Sequence, residues 1–354
     1  MKPARAARIR RCRQALLWTF GTFLVCQLAA GLLLDFVWPG VRFRGLDYAL
    51  EQCRTAAASP ERPLVLALGS SRFGCGLLTH VVEAELGPDP AAPRVINFSM
   101  PGGDFITAEH LYQRARAVGC RPSLVLLEVS PETLARRNLW LDMHSLRQLT
   151  WLDGPQFASD LVRSGHALRY LASRFVPLYV HRDHLRHLAL QQLGLENPEE
   201  VKHRHQLDAF FNAAVVQSEQ TFTPEQMVQK SQAGAAYIQR WLRNYQVGGN
   251  AKRSFDRLLE RCATDGVLVV LVAVPVSTPH RRLYTPEIEC AFQSAIRAAL
   301  VRYPTMRYLD LRGAIPDADF YDNHHTTTAG AQAFSRRLAQ ELRQAPIVTV
   351  SYWR

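Results

Sequence analysis

The chain has 354 residues, room for one large domain or two ordinary ones. Hydrophobic residues make up 47% and charged residues 21%. That composition is globular and excludes a disordered polyelectrolyte, a collagen-like chain and a polytopic membrane protein. Lys and Arg outnumber Asp and Glu by 42 to 31, a net charge of +11. Much of the excess sits at one end, because Lys2, Arg5, Arg8, Arg10, Arg11 and Arg13 precede any acid. A nucleic-acid partner calls for a dense basic stripe with aromatics interleaved, and none is expected here.

Residues 1–14 read as a basic tail. Ala15 to Leu34 then runs without a charge, long enough to cross ~30 Å of hydrocarbon as a helix. Asp35 ends the run, and Trp18 and Trp38 stand near its two ends, where interfacial aromatics are favoured. Cleaved signal sequences have shorter apolar cores, about 7–15 residues. We read residues 15–37 as one uncleaved transmembrane helix. The basic flank places residues 1–14 in the cytoplasm and the main domain outside it. The cysteines at 12, 26, 53, 75, 120, 262 and 290 contain no C-x-x-C, against a zinc ribbon or a thioredoxin-type site. Their pairing cannot be read from spacing.

Residues 38–62 read as a linker of mixed polarity. Leu64–Leu68 is a short apolar run ending at Gly69, the pattern of a buried parallel strand. A helix is expected over residues 77–86, a second strand over 94–98, a helix over 108–118 and a third strand over 124–129. Residues 63–143 thus form the first half of an alternating α/β domain. The rhythm breaks over residues 144–250, which read as a mostly helical insertion. It resumes over 251–354, with helices expected at 251–262, 288–303 and 328–344. Strands are expected at 266–274 and 306–311. Thr327 or Thr328 can cap the last helix. The sum is about five parallel strands with helices on both faces.

Open α/β sheets bind ligands at the C-terminal ends of their strands. The first strand ends Gly69-Ser70-Ser71-Arg72, and the second ends Asn97-Phe98-Ser99-Met100-Pro101-Gly102-Gly103-Asp104. Gly69 to Gly74 has the glycine spacing of a P-loop, but Cys75-Gly76 stands where Lys and Ser/Thr are required. Asp322 and His325 form D-x-x-H before the last helix. An acidic residue beside His orients it as a base, and a serine hydroxyl becomes a nucleophile only when an imidazole takes its proton. Gly102 can offer an amide N–H to an oxyanion.

The order Gly69-Ser70-Ser71, Asn97…Gly102, then Asp322-x-x-His325 followed by Gly330 resembles the SGNH/GDSL hydrolase superfamily. The resemblance covers roughly residues 63–130 and 251–344. It implies a three-layer, flavodoxin-like sheet and a serine esterase or O-acyltransferase that needs no cofactor or metal. It makes Ser71 the nucleophile, His325 the base and Asp322 its orienter, with the Ser71 and Gly102 amides as oxyanion donors. Two positions depart from the pattern. Ser70 replaces the usual Asp before the nucleophile, and Ser130-Pro131-Glu132 stands where the third block should supply an Asn donor. Arg72 or Asn97 is the candidate auxiliary donor in its place.

Membrane-anchored members that move acyl groups on extracytoplasmic polymers, such as the D-alanyl transfer protein of teichoic acid assembly, share the anchor and the departures. That branch implies an acyl-ester or glycan substrate of the cell envelope, with envelope-assembly partners at the insertion. The alternative is a catalytically silent assembly or binding protein on the same fold. His181, His184 and His187, with His203 and His205, read as a basic helix face rather than a metal site. The segment around Phe175 and Tyr179 reads as an amphipathic helix packed on the core, a membrane surface being the other reading. His324 is expected to point away from the site.

Overall fold

The computed structural model describes residues 2–38, 46–58, 62–87, 93–136, 149–195 and 223–344. His203 and His205 lie outside them. The chain divides into two compact units, residues 1–44 with 146–198 and residues 45–145 with 199–354.

The first unit contains helix α1 (Lys2–Phe36), which includes the whole apolar run. The second begins with α2 (Leu46–Ala57), β1 (Leu64–Leu68), α3 (Ser71–Gly76) and α4 (Thr79–Leu86). Then come β2 (Arg94–Asn97), α5 (Phe105–Ala117), β3 (Leu124–Glu128) and α6 (Pro131–Leu134). The chain returns to the first unit for α7 (Gly154–Arg163), α8 (Ala167–Phe175), α9 (Pro177–Val180) and α10 (Arg182–Gln192). The second unit resumes with α11 (Pro224–Leu242), α12 (Gly249–Thr264), β4 (Leu268–Ala273) and α13 (Thr278–Arg281). It ends with α14 (Pro286–Arg302), β5 (Arg307–Asp310) and α15 (Thr328–Gln344).

The five strands form one parallel sheet in the order β2-β1-β3-β4-β5. This is the flavodoxin-like winding, whose topological switch point lies between β1 and β3. The strands β1 and β3 are buried at every residue, as continuous apolar strands covered on both faces should be. Val65, Ala67, Leu124, Leu126, Val270 and Val272 face one core, with Phe73, Val82, Phe334 and Leu338 packed on them. The helices α4 and α15 cover that face and touch each other. The helices α5 and α12 pack together on the other face, with Phe105 and Phe255 rings 4.9 Å apart. The Thr327 hydroxyl caps α15 by accepting from the Gly330 amide (3.2 Å).

Two expectations change. The segment read as a linker contains α2, whose Leu46, Ala49, Leu50, Cys53 and Ala56 are buried at helical spacing. The segment read as an amphipathic helix on the core turns its apolar side outward, since Phe175, Leu178 and Tyr179 are exposed. Its buried residues are largely polar, which is why a hydrophobic pattern alone assigned it the wrong face.

Candidate active site

The site is built on the turns that leave β1 and β2, the end of β3 and the loop before α15. Ser71 is the first residue of α3, capped by Ser70, whose hydroxyl accepts from the Arg72 amide (3.2 Å). Ser70 is itself held by Glu128 at the end of β3. Its amide donates to Glu128 Oε2 (2.7 Å) and its hydroxyl to Oε1 (2.7 Å). A Cβ on Gly69 would stand 2.5 Å from Glu128 Oε2, so only glycine lets the carboxylate reach the turn. A carboxylate therefore does flank the Gly-Ser-Ser turn, supplied from β3 rather than from the residue before Ser71.

Ser71, His325 and Asp322 come together across the sheet's end. The Ser71 hydroxyl donates to His325 Nε2 (2.7 Å), and His325 Nδ1–H donates to Asp322 Oδ2 (2.7 Å). The other carboxylate oxygen accepts the backbone amides of His324 (2.8 Å) and His325 (2.7 Å). An ionised carboxylate only accepts, so the proton sits on Nδ1 and Nε2 faces the serine as the acceptor. Burial works against the charge on Asp322, but His325, His324 and the His324 amide outweigh it and hold the carboxyl far below its ordinary value. The Tyr321 ring stacks on His325 at 5.5 Å with 9° between the planes, which limits rotation of the imidazole.

The loop after β2 is fastened to the turn that carries Ser71. Phe98 N–H donates to Ala67 O (2.8 Å) and Met100 N–H to Gly69 O (3.0 Å). Gly102 has φ +67°, a backbone state that favours glycine. Neither its amide nor that of Ser71 donates to a protein acceptor among the described residues. Asn97 cannot serve as an auxiliary donor. Its amide donates to Phe73 O (3.2 Å) and Leu77 O (3.3 Å), which brackets α3. Its oxygen accepts from Ser99 N–H (3.2 Å).

Arg72 lies differently. Its Nη2 pairs with Glu132 (3.2 Å), the residue standing where the third-block Asn was expected, and both side chains are buried. Its Nη1 is buried with no hydrogen-bond partner. Glu132 also accepts from His280 Nε2 (2.6 Å) and the Tyr284 hydroxyl (2.9 Å). Asn323 continues the network, donating to His280 Nδ1 (3.1 Å) and accepting from His324 Nδ1. Its backbone carbonyl accepts from Ser277 N–H (3.1 Å) and the Ser277 hydroxyl (2.9 Å). In α11, Gly234 backs directly onto Asn323, where a Cβ would meet the side-chain oxygen.

Burial would raise Glu132, yet Arg72 and His280 hold it well below the usual carboxylate range. Burial pushes His280 below its ordinary value, and burial with the positive charges nearby pushes His324 well below it. Both imidazoles are thus neutral at neutral pH, which fits His280 donating from Nε2 and accepting at Nδ1.

His324 does not point away from the site. Its ring centroid lies 4.0 Å from that of His325. Asp322, His324 and His325 bring three possible metal-ligand atoms within 4.8 Å of one another. These atoms are already spent on hydrogen bonds to each other and to Asn323, which a cation would have to displace.

No known protein family matches the chain, and no curated protein does. Among solved structures, LAE5, an α/β hydrolase enzyme from the metagenome of Lake Arreo, Spain, is similar. It is 12% identical with a TM-score of 0.37, over 80% of this chain and 97% of that one. A likeness of that size carries no argument about activity, and the residues of this chain must carry it alone.

Proposed function

We propose that the chain is a membrane-anchored, extracytoplasmic serine esterase or O-acyltransferase of the SGNH type, acting on an acyl ester of a cell-envelope glycan. The observation that carries the reading is the hydrogen-bonded run from Ser71 through His325 to Asp322. In this reading His325 Nε2 takes the Ser71 proton as the oxygen attacks the ester carbonyl, and Asp322 stabilises the imidazolium. The carbonyl oxygen, now an oxyanion, is received by the Ser71 and Gly102 amides, with Arg72 Nη1 as the third donor. Collapse breaks the ester bond, and His325 returns the proton to the leaving alkoxide. Water or a sugar hydroxyl then attacks the acyl-serine, His325 again taking and returning the proton, and Ser71 is regenerated. Water makes the enzyme an esterase, a sugar hydroxyl an acyltransferase.

The anchor belongs to the same proposal. Basic residues in the first turns of α1 and the apolar run that follows them support a cytoplasmic N-terminus and a periplasmic sheet domain. A second reading, a silent scaffold, draws on Ser130-Pro131-Glu132, which lacks the third-block donor.

A fluorophosphonate probe on the full-length protein in detergent separates the two. Wild type is expected to be labelled at Ser71 and to hydrolyse a short aryl ester, and Ser71→Ala to do neither. A folded wild type that takes no label would leave the scaffold reading standing.

A further inference from the structure

Helix α8 is built inside out. Leu168, Leu171, Ala172 and Phe175 are exposed at the i, i+3, i+4, i+7 spacing of one helical face, Leu168 to 81%. Its buried residues are Tyr170, Ser173 and Arg174. Leu178 and Tyr179 of α9 continue the exposed stripe, Tyr179 to 66%. A helix of a water-soluble domain buries the opposite face. In hydrocarbon an apolar outer face over a buried, paired arginine is the expected arrangement, and Arg174 meets it while Arg169 of the same helix is exposed.

The buried polar groups are satisfied within the unit. The Tyr170 hydroxyl donates to Thr150 O (2.6 Å), and Arg174 Nε donates to the Ser173 hydroxyl (3.2 Å). Arg174 Nη1 pairs with Asp35 of α1 (3.5 Å), and both side chains are 0% exposed. Asp35 also accepts from the Trp151 amide (2.8 Å).

The depth of these contacts along α1 decides what covers the stripe. Gln27 Oε1 accepts from the Leu178 amide (3.3 Å). At Gly31 a Cβ would stand 3.4 Å from the Arg174 carbonyl and 3.7 Å from Pro177, a close approach that small residues permit between membrane helices. Gln27 and Gly31 both lie inside the uncharged run. At 1.5 Å per residue, Gln27 is about 12 Å from Asp35 along the axis, most of the ~15 Å thickness of one hydrocarbon leaflet. Segments that reach Gln27 from the side are therefore at the depth of the acyl chains. At the Asp35 end, Trp151 packs edge-on to Phe175 (5.7 Å), and beyond Leu178 the exposed Arg182 lies over the Tyr179 ring (4.4 Å). A tryptophan at the end of the uncharged run is what a membrane interface favours.

We propose that α8 and α9 form a re-entrant hairpin immersed in the leaflet on the Asp35 side of the membrane, with the stripe from Leu168 to Tyr179 in contact with phospholipid acyl chains. The proposal rests on α1 being a membrane span, and the experiment separates the two. Full-length protein, with exposed Cys12, Cys26 and Cys290 replaced by Ala, is reconstituted in nanodiscs of phosphatidylethanolamine and phosphatidylglycerol. A nitroxide is placed singly at Leu168, Leu171 and Leu178, at Phe23 on α1, and at Val301, an exposed position of the second unit. Collision with oxygen is compared with collision with a water-soluble nickel chelate.

At Leu171 and Leu178 the oxygen-to-chelate ratio is expected to match Phe23 and to exceed Val301 several-fold. A lipid-like Phe23 with water-like values on α8 and α9 overturns the hairpin and leaves the anchor. A water-like Phe23 overturns both. Labels shielded from both reagents mean that a second protein chain covers the stripe, which also overturns the proposal. Wild-type protein with a diazirine on the lipid tail gives a check free of variants. Adducts on the peptide spanning 168–179 are expected beside those on 15–34, and adducts on 15–34 alone contradict immersion.

Discussion

In the proposed function Arg72 carries two jobs that pull in opposite directions. Its Nη2 neutralises buried Glu132, while Nη1 has no acceptor in the protein. An orphaned buried donor costs about 1–3 kcal/mol and calls for an explanation. In the proposed function, a developing oxyanion beside Ser71 would supply one. Arg72→Gln alone would strand the Glu132 charge and destabilise the fold, so the informative variant is Arg72→Gln with Glu132→Gln. We expect that pair to fold and to lose about 10²–10³ in kcat with little change in KM, the cost of one oxyanion donor. Esterase kinetics at saturating substrate check it, and a wild-type kcat would confine Arg72 to a structural role.

The same cluster sets a pH dependence of stability. Folded His280 and His324 stay neutral at pH values where the unfolded chain, with histidines near 6.5, takes up protons. The unfolded state then binds more protons, so stability falls as pH drops below about 6.5. Glu132 and Asp322 act in the same direction lower down. Their depressed values give stability that is present above the unfolded carboxylate range near 4 and is lost as pH falls through the folded values. Urea midpoints are expected to be level above about pH 7 and to decline below it, with a shallower decline in His324→Gln. A midpoint that does not move between about pH 7.5 and 5 would contradict buried neutral imidazoles.

The three residues that the structure joins by hydrogen bonds, Ser71, His325 and Asp322, could be picked out in the sequence because each sits in a local pattern, a serine turn after a strand or D-x-x-H before a helix. The carboxylates and imidazoles around them were not. Ser70 and Glu128 are 58 positions apart, and Glu132 and Tyr284 are 152 apart, with no local signature at either end.

Among the elements, the meeting of two turns controls where Ser71 stands. Gly103 N–H donates to Met100 O (2.9 Å), and a Cβ on Gly103 would run into the carbonyl of Gly69. That carbonyl already accepts from Met100 N–H, so neither backbone can move without breaking the bond that joins the β1 and β2 turns. Gly103→Ala is expected to cost roughly 2 kcal/mol or more, the range of backbone clashes in packed sites, and to abolish fluorophosphonate labelling. Thermal unfolding and labelling of the same sample check both halves, and a variant with wild-type labelling would show that the two turns are not coupled.

The strands around these turns could be read from the chain because buried parallel strands are uninterrupted apolar runs. The prediction for α15, residues 328–344, coincides with the helix found. Helices α3 and α6 are too short for a periodicity to show, and depend on Ser70 and Ser130 caps. The stripe of α2 was present but diluted by alanines and polar residues, so its segment passed for a linker.

At the scale of the molecule, the side of the membrane on which the sheet domain stands can be tested through two cysteines. Cys53 of α2 and Cys120 before β3 are both fully buried, and the Cys120 thiol beside it together with burial pushes the Cys53 thiol up. The segments that carry them touch, since a Cβ on Gly119 would stand 3.9 Å from that of Ala57, one helical turn beyond Cys53. In a reducing cytoplasm such a pair stays as thiols. On the periplasmic side, a disulfide-bearing oxidant accepts two electrons and two protons from the pair and leaves one S–S bond. Closing a loop of this length stabilises a fold by about 4 kcal/mol in the chain-entropy account, so oxidation would fasten α2 to the sheet. We therefore expect protein taken from its native membrane, unfolded and alkylated without reductant, to yield a Cys53–Cys120 linked peptide while Cys75, Cys262 and Cys290 are alkylated. Cys53→Ser should then unfold at lower temperature under oxidising conditions and nearer to wild type in reductant. Alkylation of both Cys53 and Cys120 in the native sample would place the domain on the reducing side, against the topology read from the basic N-terminal flank.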